Sequence, residues 1–585
     1  MCGIAGIFAD GGAPRDWLRE NVSRMTDRLA HRGPDGCGVW IDERSGIALG
    51  HRRLAILDTS ARGSQPMASA TARYLLVFNG EIYNFRELRR ALPDYPYRSE
   101  TDTEVILAAF ERWGVERTLP HLDGMFAIGV WDRRERSLIV ARDRFGEKPL
   151  YYSEQGGSER SRSEQNRVFL FASELPALRV CDGYESDVDW DVCGDYLRRG
   201  YIAAPATIDR EASKLRAAHF LRVGGRPQRF WSLPQPAEFS GSAEEAADEL
   251  EQRLHDAVRS RLAADVPVGA LLSGGVDSSA IVAMMNGGHT FTLGFEDRQL
   301  DESTAARDVA RHLGTRHEEL IATERDALAI VPLLPEMYGE PFADSSQIAA
   351  ALVSKLARRG VTVALAGDGG DELFAGYPRY AQLKRVAQVP GSVRRWAAPF
   401  VAKLGQGEKM QMLAEALPAQ DLYHLYAAVM GGPAEPMGRD PLDFMARHDL
   451  TNYFADDLLV KLDRASMAAS LEVRLPFLEP RLVAFALSLP APIKGRKRVL
   501  RDVLARYIPR DLFERPKRGF SVPLAKWLCG PLREWAEDLL PNATANLKPG
   551  DRCVGLWSRL MLEAWLKRRA ATSAARLPES VVVPG

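Results

Sequence analysis

The segment from Val268 to Met285 limits the fold of this chain more than any other. Val268-Gly269-Ala270-Leu271-Leu272 is an apolar run of strand length, Ser273-Gly274-Gly275-Val276-Asp277-Ser278-Ser279 is a turn rich in Gly and Ser, and Ala280–Met285 is a helix-compatible run. A strand that turns directly into a helix belongs to a parallel sheet with crossover helices. The sequence around it keeps the alternation: Thr290–Phe295 and Val361–Ala366 read as strands, Thr304–Leu313 and Ile348–Arg358 as helices. The two glycines let consecutive backbone N–H groups converge on phosphate oxygens, and the helix start adds partial positive charge. The string lacks the Gly-Lys-Ser/Thr of the kinase and GTPase phosphate loop.

At 585 residues the chain exceeds what one core supports, which predicts two large domains. Residues 2–230 read as short strands between Gly, Asp and Asn turns: Ile4–Phe8, Ile47–Leu49, Tyr74–Phe78, Met125–Trp131, Ser137–Arg142 and Val168–Ala172. With the helical stretches Asp16–Leu29 and Thr103–Trp113 outside them, they predict packed antiparallel sheets. Glu154–Arg167 is almost wholly polar and reads as a loop. After Pro234 an Ala- and Glu-rich stretch opens a helix to about Ala263, and the α/β pattern follows within residues 231–570. It becomes mostly helical after about Val386, and 571–585 reads as a loosely ordered tail.

A net charge of -1 gives no general attraction to nucleic acid or anionic membrane, so the expected partners are small molecules. The cysteines, Cys2, Cys37, Cys181, Cys193, Cys529 and Cys553, show no CxxC pairing, which argues against a disulfide framework and a zinc site. No basic region precedes an apolar run at the N-terminus, and no apolar stretch approaches membrane-spanning length. A cytoplasmic location is the expectation.

Removal of Met1 would place an α-amino group of pKa about 7.7–8 beside the Cys2 thiol, so that nucleophile and base arrive on one residue. Cys2 is followed in order by His31-Arg32-Gly33-Pro34-Asp35-Gly36, Gly50-His51-Arg52-Arg53-Leu54, Asn79-Gly80-Glu81-Ile82-Tyr83-Asn84, Thr101-Asp102-Thr103-Glu104 and Asp143-Arg144-Phe145-Gly146-Glu147-Lys148-Pro149-Leu150-Tyr151. These blocks resemble the class II, N-terminal nucleophile glutamine amidotransferases. The resemblance implies an α+β sandwich of αββα type in which Cys2 attacks the glutamine amide and Asn79 with the Gly80 N–H forms the oxyanion hole. It implies Arg53 on the substrate carboxylate, Asp102 on its ammonium, and Asn79 and Glu81 as further glutamine contacts. A side-chain amide and a Gly suit a developing oxyanion, and a planar guanidinium grips a carboxylate bidentately.

The central string resembles the PP-loop of ATP pyrophosphatases, which split ATP between the α and β phosphates. The nucleotide positions implied are Leu271, Ser273, Gly274, Gly275, Asp277, Ser278, Ser279 and Gly367. A second block, Gly367-Asp368-Gly369-Gly370-Asp371-Glu372, adds Asp371, which with Asp277 would hold Mg²⁺ through hard carboxylate oxygens. Glu340-Pro341-Phe342-Ala343-Asp344-Ser345-Ser346, Leu459–Met467, Leu471–Leu478 and Arg515–Phe520 look like glutamine-hydrolysing asparagine synthetases, and the resemblance runs from Cys2 to about Leu540. It implies Lys497 as the charge stabiliser during adenylation and Asp368 as the base for the attacking ammonia.

The reaction so implied hydrolyses glutamine at Cys2, passes ammonia internally, and aminates an acyl-adenylate made from ATP, with aspartate as the acceptor acid. Two departures stand out. Ala366 replaces the Ser common before Gly-Asp-Gly, and Ala217-Ala218-His219-Phe220 replaces a Pro-Gly-His-Tyr type string. They leave room for a relative that amidates another carboxylate, such as a sugar acid or peptide in surface-polysaccharide or natural-product assembly. A non-catalytic regulatory homologue would have lost one of the two constellations, and Cys2, Arg53, Asn79, Asp102, Asp277, Asp371 and Lys497 are all present. Oligomeric state is not legible in the sequence, although related enzymes are often homodimers.

Overall fold

A computed structural model describes residues 1–155, 167–297, 300–377, 380, 441–515, 522–551 and 553–574. Two antiparallel sheets stack in the N-terminal part. One contains β1 (Gly3–Ala9), β2 (Gly36–Asp42), β3 (Ile47–Arg53), β8 (Tyr151–Gln155), β9 (Val168–Ala172) and β10 (Ala212–Lys214), in the order β10-β8-β9-β1-β3-β2. The other contains β4 (Met67–Ala68), β5 (Tyr74–Ile82), β6 (Gly124–Asp132), β7 (Ser137–Arg142), β11 (His219–Arg222) and β12 (Gln228–Arg229), in the order β12-β11-β7-β6-β5-β4. Ile4, Leu49, Val77, Trp131, Val140 and Phe171 fill the space between them. Helix α1 (Arg15–Asp27) covers the first sheet with Leu18, Val22 and Met25, spaced for one helical face. Helix α2 (Asp102–Trp113) covers the second with Val105, Ile106 and Phe110. The result is the αββα sandwich that the sequence predicts.

The second part is built on a five-stranded parallel sheet of β13 (Val268–Leu271), β14 (His289–Phe295), β15 (Arg316–Ala322), β16 (Val363–Leu365) and β17 (Glu472–Arg474), in the order β15-β14-β13-β16-β17. Helix α3 (Ala243–Arg261) opens it with a capping box between Ser242 and Glu245. Helices α4 (Val276–Met285), α5 (Ser346–Ala357) and α6 (Leu459–Met467) pack around the sheet. The PP-loop follows β13 and the Gly367–Glu372 block follows β16, so both open at the same edge of neighbouring strands, where ligands of α/β sheets bind.

Some expected boundaries shift. β5 does not stop at Phe78 but runs through Asn79, Gly80 and Glu81, because β6 pairs with it as far as Gly124. Glu154 and Gln155 belong to β8, paired with Phe169 and Val168, while 156–166 lie outside the described residues. The expected tail begins inside a helix, α7 (Val554–Ala574), which Trp557, Leu560, Met561 and Trp565 anchor in the core. Residues 386–440 and 516–520 also lie outside the described residues.

The Ala217-Ala218 departure has a structural cost. Ala218 adopts φ +59°, a left-handed conformation that penalises a β-carbon. Replacing Ala218 with Gly is expected to stabilise the protein by about 1 kcal/mol, read as a rise in the denaturant midpoint.

Candidate active sites

At the first site the Cys2 backbone is held from both sides. Its N–H donates to Asn79 Oδ1 at 2.8 Å, and its carbonyl accepts from Arg32 Nε at 3.1 Å. Asn79 is fully buried, and its Nδ2 has no partner among the described residues. An amide donor left unspent beside the thiol is what an oxyanion requires. Gly80 is obligatory for a packing reason, since a β-carbon there would lie 2.0 Å from the Met125 carbonyl oxygen. Burial pushes the Cys2 thiol up, and the neighbouring terminal ammonium pulls against it.

The two adjacent arginines separate as strand geometry dictates. Arg52 turns to α1, donating to Thr26 O at 3.2 Å and pairing with Asp27. Arg53 turns the other way, donating to the carbonyls of Ser60 at 2.7 Å and Leu57 at 3.3 Å, and its charge acts on Cys2. Asp102 begins α2 and accepts from the N–H groups of Ile82 at 2.9 Å and Thr103 at 2.8 Å. Burial outweighs these bonds and pushes it up to about 6.

Glu81, expected as a glutamine contact, also reaches the other half of the chain. Its Oε2 accepts from Arg474 of β17 at 3.1 Å, so it links the two halves, while Oε1 has no partner among the described residues. Arg474 also donates to Glu472 at 2.7 Å, and Glu472 holds the N-terminal ammonium at 2.6 Å. Burial opposes charge on Glu472, but the terminal ammonium and Arg474 hold it down at about 2.

A second buried cluster crosses the same interface. Arg32 grips Asp463 of α6 bidentately at 2.8 and 2.9 Å and donates to Glu174 at 2.7 Å. Burial works against charge on Asp463, yet Arg32 holds its carboxyl below the usual range. Removing one partner of a buried pair leaves an uncompensated charge. Asp463→Ala should therefore cost about 3 kcal/mol, visible as a lowered denaturant midpoint.

The second site is a cavity of about 1410 Å³ at the edge of the parallel sheet. Leu271, Ser273, Gly274, Gly275, Asp277, Ser278, Gly367, Asp368, Asp371 and Lys497 all line it. Ser279 does not, and is buried within α4. Gly274 has φ +71°, and a β-carbon there would strike the Ala305 backbone at 2.7 Å. No side chain caps α4, and its first residues, Val276, Asp277 and Ser278, line the cavity.

Lys497 lies between Asp277 and Asp371 and pairs with both. Burial opposes its charge, but these carboxylates more than offset that and raise it. Arg496 and Lys497 both have left-handed backbone, φ +55° and +59°, and Lys497 N–H is tied to Phe374 O at 2.8 Å. Strain held in this way is concentrated at functional sites. Lys494 is directed elsewhere, towards Asp443, so the segment is not a uniformly basic loop. Burial raises Asp368, with Lys461 acting against it.

Several groups at the sites had no role assigned from sequence. Lys461 donates to Asp344 and Ser346 at 2.8 Å each on the cavity wall. Arg32, Asp463 and Arg474 stand in motifs legible in the sequence, but only the fold shows that they pair across the halves, with Glu472 beside Arg474.

Residues 249–580 match the Asparagine synthase family and residues 1–231 the Glutamine amidotransferase domain. The chain is 34% identical to a Mycobacterium tuberculosis protein across 93% of this chain and 91% of that one. It is 30% identical to Asparagine synthetase [glutamine-hydrolyzing] 1 of Bacillus subtilis, again across 93% and 91%. It is 26% identical to the amidase chry2 of Gibberella zeae across 93% and 92%. With both sites and both family matches on one polypeptide, the chain belongs to the glutamine-hydrolysing asparagine synthetase family.

Proposed function

We propose that this ATP-dependent glutamine amidotransferase ligase converts aspartate to asparagine, with release of AMP, pyrophosphate and glutamate. The observation that carries the reading is the pairing of two complete constellations. Buried Cys2 stands beside an unspent Asn79 amide, and Lys497 stands between Asp277 and Asp371 in a cavity large enough for a nucleotide and an acid. In this reading residues 2–230 form the glutaminase domain and 231–570 the synthetase domain.

At the first site Cys2 takes the glutamine amide, with its own α-amine as base once Met1 is gone. Arg53 receives the substrate carboxylate and Asp102 its ammonium. Asp102 must be ionised for this. Its pKa of about 6 means that kcat/KM for glutamine hydrolysis should fall as pH drops through about 6, and a flat profile there would remove Asp102 from the role.

At the second site Lys497 balances charge on the phosphates, and Asp368 takes a proton from the attacking ammonia. Asp277 and Asp371 fit Mg²⁺: they are hard oxygen donors converging on one cationic point, now held by the Lys497 ammonium. Two carboxylates sharing an ion with phosphate oxygens is the usual Mg²⁺ arrangement, and the ion would supply charge neutralisation to the departing pyrophosphate.

Pyrophosphate release with glutamine present, screened over aspartate and other carboxylic acids, tests the acceptor. Aspartate should give the largest signal. A larger signal from another acid would favour the second reading, amidation of a different carboxylate, with which the two family matches are equally consistent. Among the described residues no helix is long and apolar enough to cross a membrane. The free thiols fit a reducing cytoplasm, and a homodimer follows the habit of related enzymes.

A further inference from the structure

Between the halves lies a small internal cavity of about 10 Å³, roughly what the centre of one water-sized molecule occupies. Met1, Glu147 and Lys148 line it from the N-terminal half, and Leu459, Leu462 and Asp463 of α6 line it from the other. Leu462 also lines the nucleotide cavity, so its side chain stands between the two spaces. At the other end Met1 is buried against Tyr83, Met125 and Met467. Its removal, which the chemistry at Cys2 requires, would join its volume to the cavity.

Two groups here have unspent hydrogen-bonding capacity. Glu147 is 6% exposed, and among the described residues no donor reaches its carboxyl. The Tyr83 hydroxyl is buried without a partner among the described residues. Neither has a part in the glutaminase or adenylation chemistry described above. We propose that Glu147 is a positioning residue of nitrogen transfer, lining the passage from Cys2 to the nucleotide cavity and giving ammonia a hydrogen-bonding foothold before it passes Leu462. The proposal rests on the internal transfer of ammonia set out under the proposed function.

The electrostatics agree with the geometry. Burial and then Asp143 push Glu147 up to about 8, Lys148 and Arg261 pull against them, and Asp123 adds to the push. Asp463 and Met1, which carries the terminal ammonium until it is removed, also line this space, and the charge of Glu147 acts on the nearby Tyr83 hydroxyl. At neutral pH the carboxyl keeps its proton and offers donor and acceptor together. Once ionised it would favour ammonium, which is not a nucleophile.

The test uses the full chain and measures three rates: glutamate formation, ammonium-supported pyrophosphate release, and amide formed per glutamine hydrolysed. Glu147→Leu should leave the first two unchanged and lower the third about fivefold, the size of one lost hydrogen bond. Glu147→Gln, neutral at every pH, should keep the wild-type ratio at neutral pH and lack the decline that wild type shows between about pH 7 and about pH 9. A wild-type ratio in Glu147→Leu, or a wild-type profile in Glu147→Gln, overturns the proposal, and the second arm holds even if the Leu variant does not fold. Wild-type enzyme that releases pyrophosphate with ammonium but never with glutamine would overturn the internal transfer itself.

Discussion

Replacing Cys2 with Ala is expected to abolish glutamine-dependent amidation, by on the order of 10³-fold or more, while ammonium-supported amidation stays at the wild-type rate. The loss can be read as chemistry because the two bonds that fix this residue, from Arg32 to its carbonyl and from its nitrogen to Asn79, do not involve the thiol and survive the substitution. Arg32 therefore keeps its grip on Asp463, and the interface with the synthetase half stays closed. The nucleotide cavity is built from other elements, the PP-loop, the block after β16 and the Lys497 turn. Its chemistry has no need of a thiol. Loss of both activities in Cys2→Ala would contradict two separate sites.

Much of both sites was legible because their chemistry is local. The PP-loop lies on consecutive residues between a strand and a helix, and the Asn79-Gly80 pair lies on one strand. Arg53 is singled out by the resemblance alone, and the structure adds that Arg52 and Arg53 leave β3 in opposed directions. What escaped the sequence was held by distant partners. β17 is only Glu472-Val473-Arg474, and two of its three residues are charged, so nothing in its pattern reads as a buried strand. It is buried because Glu472 and Arg474 satisfy each other and Arg474 also pairs with Glu81. β15, Arg316–Ala322, is an edge strand with a polar sequence, and such strands lack the apolar run that marks β13 and β14.

The same buried charges suggest why the halves work as a unit. α6 carries Lys461 on the nucleotide cavity wall and Asp463 on Arg32, two residues apart. Residues two apart on a helix point to different faces, so one rigid element contacts both sites. A surface salt bridge between mobile domains would contribute little. A fully desolvated bidentate pair instead penalises any separation that would expose one partner alone, which keeps the Cys2 backbone in register with the synthetase half.

Lys497→Met should remove pyrophosphate release by on the order of 10²–10³-fold, the usual loss when one preorganised charge partner is deleted, with glutamine hydrolysis retained. The ammonium is the cation that Asp277 and Asp371 share. Without it two carboxylates face each other, and phosphate oxygens entering the cavity would add repulsion in place of balance. The backbone conformation is held independently of the side chain, by the bond from Lys497 N–H to Phe374 O, so Met keeps the turn and loses only the charge. The measurement is pyrophosphate formed from ATP with saturating ammonium and acceptor acid, which bypasses the Cys2 site. Release that persists at the wild-type rate would show that Lys497 merely neutralises the resting carboxylates and takes no part in adenylation.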